Sequence, residues 1–194
     1  MNRGVSTQVE LLDQFEDDDL EALCEATNQA ILDGNGFGWL KPPRRAVLES
    51  YWKGVLLVPE RELYVARLDG QIVGSAQLVK PARNNEARAH QVELSTFFVA
   101  PWARGLGLAR GLLRAVEEAA RAHGFHVVDL DVRATQTAAI QLYEEAGFER
   151  WAVKPKYARV DDQYVDGYFY TLDLTKPAKA RARRNEAAAA EPTA

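Results

Sequence analysis

Apolar residues along this chain recur at two alternating periods, and the switches between them mark its elements. Val9 and Leu11 alternate with polar neighbours from residue 7 to residue 12, the period-two pattern of a short half-buried strand. Leu20, Leu23, Cys24, Thr27 and Ile31 then keep helical spacing behind Asp17-Asp18-Asp19, whose charges suit a first helical turn. Gly34-Asn35-Gly36-Phe37-Gly38-Trp39 breaks that helix, either as a plain turn or as a flap over a pocket. Pro42-Pro43 leads a second helix that carries Ala46, Val47, Tyr51 and Trp52 inward. Residues 62–68 and 71–79 read as two strands joined at Asp69-Gly70, a tight-hairpin signal. A polar loop over 81–89 follows, and then the stretch that dominates the chain.

From Val92 to His123 the pattern runs from strand to glycine turn to amphipathic helix. Glu93 to Val99 is β-rich, Ala100-Pro101-Trp102-Ala103 ends it, and Arg104-Gly105-Leu106-Gly107-Leu108-Ala109 opens a helix. Ala109, Leu112, Leu113, Val116 and Ala120 fall on one face of that helix. A further strand over 126–132, a helix over 135–146 stopped by Gly147, and closing strands over 148–154 and 164–172 complete the pattern. The order β-α-α-β-β-β-α-β-α-β-β predicts an α+β fold: a mixed sheet with helices on its faces.

Composition adds a boundary and a bias. Residues 5–174 suffice for one domain with a real core, and from Thr175 the chain turns to Ala, Lys, Arg, Glu and Pro, the composition of a disordered tail. The formal charge is −4, and five basic residues against two acidic ones in 175–194 leave the domain itself more acidic than that total. An acidic body argues against nucleic acid and favours cationic substrates. The single cysteine, Cys24, cannot form an internal disulfide, which fits a reducing, cytoplasmic compartment. No apolar run approaches the about 18 residues of a membrane span, and no signal peptide is evident. His90, His123 and His126 match no metal spacing, so no metal site is expected. A homodimer remains compatible with all of this.

Glycines at a helix N-terminus leave backbone N–H groups facing outward, where the helix dipole adds about half a positive charge. Residues 104–109 therefore read as a phosphate seat. A P-loop would need Lys-Ser or Lys-Thr after the glycines, and the chain has neither. A dinucleotide fold would take Gly105 and Gly107 with Asp129 or Asp131 as its ribose acid, but its third glycine falls on Arg110.

Arg104-Gly105-Leu106-Gly107-Leu108-Ala109 resembles the Arg/Gln-x-x-Gly-x-Gly/Ala signature of the GNAT-type N-acetyltransferases. Leu130-Asp131-Val132 leading into Ala139-Ile140-Gln141-Leu142-Tyr143-Glu144-Glu145-Ala146-Gly147-Phe148 resembles a second stretch of that family, in the same order. The resemblance implies a GNAT-like acyl-CoA N-acyltransferase fold, a mostly antiparallel sheet splayed between the strands ending at Val99 and Val132. It implies acetyl-CoA as co-substrate, with pantetheine in the gap against the backbone of Phe97 and Val99. The N–H groups around Arg104, Gly105, Leu106, Gly107, Ala109 and Arg110 would hold the pyrophosphate. Arg104 and Arg110 are either ionic contacts to it or members of a solvated helix face. Where the family often has Asn before the next helix, this chain has Gln136, longer by one methylene.

Acetyl transfer to nitrogen needs a neutral amine. A lysine-like amine of pKa about 10.4 loses its proton at pH 7 at a cost of roughly 4.6 kcal/mol, an α-amine at about 1–1.4 kcal/mol. By the same resemblance Glu93 is the candidate base, six residues before Val99, against the simpler reading of a sheet-face carboxylate. An ordinary Glu is a weak base, so it needs burial or a relaying water, which Ser95 on the same face would help to hold. Tyr143 matches the tyrosine that in many members of the family sits beside the CoA sulfur, which makes it the candidate acid to the thiolate, and a packed helix residue is the alternative. The acceptor is a primary amine of a small molecule or a peptide or protein. Phe37, Trp39, Tyr51, Trp52, Trp151, Tyr157 and Tyr164, with Asp161, Asp162 and Asp166, are the side chains available to choose it. A CoA-binding module without catalysis is the competing function.

Overall fold

The computed structural model describes residues 4–34 and 38–176. Every element read from the sequence forms, in the expected order. The strands are β1 Thr7–Leu12, β2 Arg61–Leu68, β3 Gln71–Val79, β4 Gln91–Val99, β5 Val127–Arg133, β6 Glu149–Val160 and β7 Gln163–Asp173. The helices are α1 Asp19–Leu32, α2 Arg45–Leu57, α3 Leu108–Ala122 and α4 Thr137–Glu145. One sheet results, ordered β1-β2-β3-β4-β5-β7-β6, with helices on both faces. Every neighbouring pair is antiparallel except β4 with β5. Most of the tail expected to be disordered lies outside the described residues, as do Asn35, Gly36 and Phe37 of the glycine-rich segment.

Local chemistry accounts for the elements. Asp69 and Gly70 both have positive φ (49° and 88°), the backbone that a two-residue hairpin demands. Asp19, in the first turn of α1, is buried and receives both Nη groups of Arg67 at 2.6 and 2.9 Å, so its carboxyl is held below the ordinary range. Trp52 of α2 donates to Thr27 of α1 at 3.2 Å, and Thr27 donates to the Leu23 carbonyl at 2.6 Å. Cys24 is fully buried beside them, and burial pushes its thiol up to about 11, the state of a structural residue.

Two expectations shift. In α2 the inward stripe is Leu48, Trp52 and Val55, while Ala46 and Val47 face solvent. The helix starts at Arg45, behind an extended Arg44, so Ala46 and Val47 fall in its exposed first turn and the buried stripe begins at Leu48. Strand β6 runs on to Val160 instead of ending at Lys154, because it rejoins β7 beyond an irregularity. Between Lys154 and Ala158 it spends four residues where β7 spends two, from Gly167 to Val165.

Candidate active site

The site begins with a failure of pairing. Strands β4 and β5 are joined only through Gln91–Val127, Val92–Val128 and Glu93–Asp129, and beyond that point they part. A cleft of about 660 Å³ occupies the gap, walled by β4, β5, α4 and the start of α3. Beyond Glu93 the edge of β4 that faces β5 has no strand partner among the described residues, which leaves that edge at Phe97 and Val99 open to an extended ligand arm.

A bulge bends β4 away from its neighbour. Ser75 pairs with Phe98 but Gln77 with Ser95, so β4 carries one extra residue, and Thr96 has φ of 47°. Buried polar side chains hold this strained residue in place. Ser75 donates to the Thr96 carbonyl at 3.0 Å, Gln77 donates to the Tyr51 hydroxyl at 3.1 Å, and that hydroxyl lies 3.2 Å from the Thr96 hydroxyl. Arg61 closes the far end on the Gln77 carbonyl oxygen at 2.5 Å. Each polar group is satisfied inside the core, which makes the bend rigid.

After β4, Gly105 and Gly107 both adopt left-handed backbone, φ 80° and 78°, and α3 begins at Leu108 with no side chain capping it. A Cβ at either glycine would meet nothing within 4 Å, so conformation rather than space requires glycine there. The first-turn N–H groups of α3 have no intrahelical acceptor and face an anion's position. Arg104 flanks this cradle but already pairs with Asp33 at 2.7 Å, and its Nε donates to the Val99 carbonyl at 3.3 Å. Arg110 pairs with Glu145 at 2.6 Å on the exposed side of α3. Gln136 lines the cleft and donates to the Gly34 carbonyl at 2.6 Å.

Glu93 and Tyr143 line the same cleft from opposite walls. Glu93 makes no hydrogen bond or ion pair among the described residues. The residue is exposed to the open cleft rather than buried, yet its carboxyl pKa is raised, first by partial loss of surrounding water and then by the charge of Asp131, with Arg61 and Arg88 opposing. Tyr143 is buried among Phe97, Phe148 and Tyr170, at ring separations of 5.6, 5.8 and 6.4 Å. Burial raises its pKa strongly, and its hydroxyl has no protein partner among the described residues. It is therefore a protonated phenol directed at the cleft.

Sequence reasoning passed over Asp131 as a site acid, and it gave Tyr157 only as one aromatic among several. The excess in β6 pushes Tyr157 into the cleft, where its hydroxyl donates a hydrogen bond to Asp131. Burial, then this bond, pushes the Tyr157 phenol up to about 12. The ring lies over Gly167 so closely that a Cβ there would fall 2.3 Å from it. Arg133, buried at the end of β5, also lines the cleft. Of the other aromatics, Trp39 and Tyr51 line the cleft, Trp52 is core, and Tyr164 lies exposed under the Lys156 ammonium at 5.2 Å. Asp162 pairs with Arg159 at 2.9 Å at the β6–β7 turn, and Asp166 of β7 accepts the Lys156 N–H of β6 at 3.1 Å, so both are engaged within this hairpin.

Comparison with known proteins places this arrangement. Residues 20–148 match the model of the Acetyltransferase (GNAT) family. The chain is similar to an uncharacterised N-acetyltransferase from the hisH-hisA intergenic region of Azospirillum brasilense, 63% identical over 128 residues, which cover 66% of this chain and 76% of that one. It is 33% identical over 122 residues to the N-alpha-acetyltransferase RimI of Mycobacterium tuberculosis, covering 63% and 72% of the two chains. Its fold is similar to that of yncA from Salmonella typhimurium, solved with its cofactor acetyl-CoA: TM-score 0.72, 23% identity, 89% of this chain and 96% of that one.

Proposed function

The chain belongs to the acetyltransferase (GNAT) family, and from that premise we propose that it moves the acetyl group of acetyl-CoA onto a primary amine by direct attack. Glu93 is the general base and Tyr143 the general acid. The observation that carries this reading is their joint exposure to one cleft: a raised carboxyl and an unpartnered phenol on opposite walls of the β4–β5 gap. The α3 cradle from Arg104 to Arg110 takes the pyrophosphate, the free edge of β4 at Phe97 and Val99 takes pantetheine, and Gln136 borders that arm. The carboxylates on Arg104 and Arg110 must yield or share when a diphosphate arrives, so the backbone N–H groups supply the more dependable part of the seat.

The amine arrives as an ammonium ion and passes its proton to Glu93, directly or through a water held near Ser95. A carboxyl with a raised pKa is the better acceptor, since the mismatch with the amine narrows. The freed nitrogen lone pair attacks the thioester carbonyl carbon, and the C–S bond breaks as the C–N bond completes. The departing thiolate takes a proton from Tyr143, whose phenol is kept neutral by burial. The acceptor is a small-molecule or peptide amine. Resemblance to an N-alpha-acetyltransferase favours an α-amine, which costs roughly 3 kcal/mol less to deprotonate at pH 7 than a lysine-like one.

Calorimetric titration with acetyl-CoA, followed by thiol release across an amine panel for wild type, Glu93→Gln and Tyr143→Phe, tests the reading. Binding with amine-dependent release that falls in both variants supports it. Binding without release from any amine would leave a ligand-sensing module, and unchanged rates in the variants would remove these two residues from the mechanism.

A further inference from the structure

A second cleft, of about 340 Å³, opens where β4 and β5 are still paired, between the 81–89 loop and β6. It shares Glu93 and Asp131 with the first cleft, so the two meet at that carboxylate pair. Its floor adds Asp129, held by the Gln91 amide at 2.9 Å. Its outer wall is Trp151, an indole 65% exposed to solvent whose ring stands 5.9 Å from that of Phe169. Lys80 on the rim is already paired with Glu62 at 2.6 Å, so the cations acting on the three carboxylates are Arg88 on the groove wall and Arg61 behind Glu93.

We infer that this second cleft is the acceptor groove, and that the acceptor is a primary amine on an apolar body with no carboxylate beside the amine. The inference rests on the acetyltransferase reading above. An ammonium is drawn to the end of the groove where Glu93 and Asp131 face both clefts, within reach of the acetyl donor. Tyr157 donates a hydrogen bond to Asp131 and so holds that carboxylate in place as the anchor, while Glu93, with no such partner, takes the proton. The rest of the acceptor then lies along Trp151 and Phe169, apolar surface that loses water on contact. A carboxylate next to the amine would face Asp129 and Asp131 along the groove, where Arg88 is the lining arginine. The groove discriminates by that repulsion as well as by attraction.

Thiol release with three acceptors sharing one ring tests this: 2-phenylethylamine, phenylalanine amide and phenylalanine, compared at equal concentrations of neutral amine. The kcat/KM of phenylalanine is expected at least tenfold below that of the amide. Trp151→Ala is expected to raise the KM of the first two at least fivefold while the KM of acetyl-CoA stays put. Equal use of phenylalanine, an unchanged acceptor KM in Trp151→Ala, or turnover confined to spermidine or aspartate would overturn the groove and keep the acetyltransferase reading. No release from any amine would instead overturn that reading, and the groove with it. Sedimentation of wild type and Trp151→Ala supplies a last check. A dimer lost in the variant would assign Trp151 to an interface between copies and overturn the groove.

Discussion

The two sides of the β4–β5 gap are built differently. The donor side is regular: a strand, a two-glycine turn, and a helix whose apolar face packs Leu112, Leu113 and Val116 into the core. The acceptor side is made of exceptions. β6 carries three surplus residues, one at Trp151 and two between Lys154 and Ala158, and Trp151 stands in solvent, while the bulge at Thr96 lies between the two sides. A nucleotide-bearing donor needs the same backbone geometry every time, which short-range sequence can encode. An acceptor site needs side chains aimed from several strands, and local departures from regular pairing aim them.

The largest test of this contrast removes chemistry from either wall. Glu93→Gln is expected to lower kcat by roughly 10²–10³-fold, in the range of general acid–base catalysis, with acetyl-CoA binding retained. With Glu93 as the proposed base, its carboxylate is the active form, and the rate is expected to rise with pH as Glu93 deprotonates. Its raised pKa places that acid limb at higher pH than an ordinary glutamate would. A limb that persists unmoved in Glu93→Gln would hand the titration to another group.

A smaller effect separates the sides more sharply. Gly167→Ala drives a methyl into the Tyr157 ring, since the Cβ would meet it at 2.3 Å. The acceptor KM is expected to rise about tenfold, consistent with roughly 1.4 kcal/mol of lost positioning, while the KM of acetyl-CoA is unaffected. The mirror change is Gly107→Ala, which strains a φ of 78° at the start of α3. It should cost about 1 kcal/mol of stability in denaturant titrations and raise the KM of acetyl-CoA several-fold, leaving the acceptor's alone. If each variant moved both KM values together, the two sides would be one unit. The smallest effect is expected from deleting residues 175–194: a melting temperature nearly unchanged, because Leu174 is the last buried residue among those described.

The same contrast explains what the sequence made legible. The element order, the hairpin at Asp69-Gly70 and the glycine turn were readable because each rests on neighbours within a few residues. The bulge at Thr96 was not, since its cause is Ser75, Gln77 and Tyr51, all distant in the chain. Buried Gln77 gave a faint signal, a polar residue where the strand's apolar run called for none. Tyr157 was visible as an aromatic but its place was not, because the β6 surplus is set by pairing with β7 and by the bare backbone of Gly167. Asp131 was readable only as a ribose acid of the dinucleotide alternative, because its partner Tyr157 comes from β6, distant in the chain.

The irregular stretch of β6 also governs how the molecule behaves in a crowd of its own copies. β6 is the last strand of the sheet, an edge with unpaired backbone groups along its length. Midway along it stand Lys154, Pro155 and Lys156, a proline without an N–H between two like charges, in the segment that breaks register with β7. A strand from another molecule finds no continuous ladder there. The bend that turns Tyr157 inward thus blunts an edge that would otherwise invite aggregation.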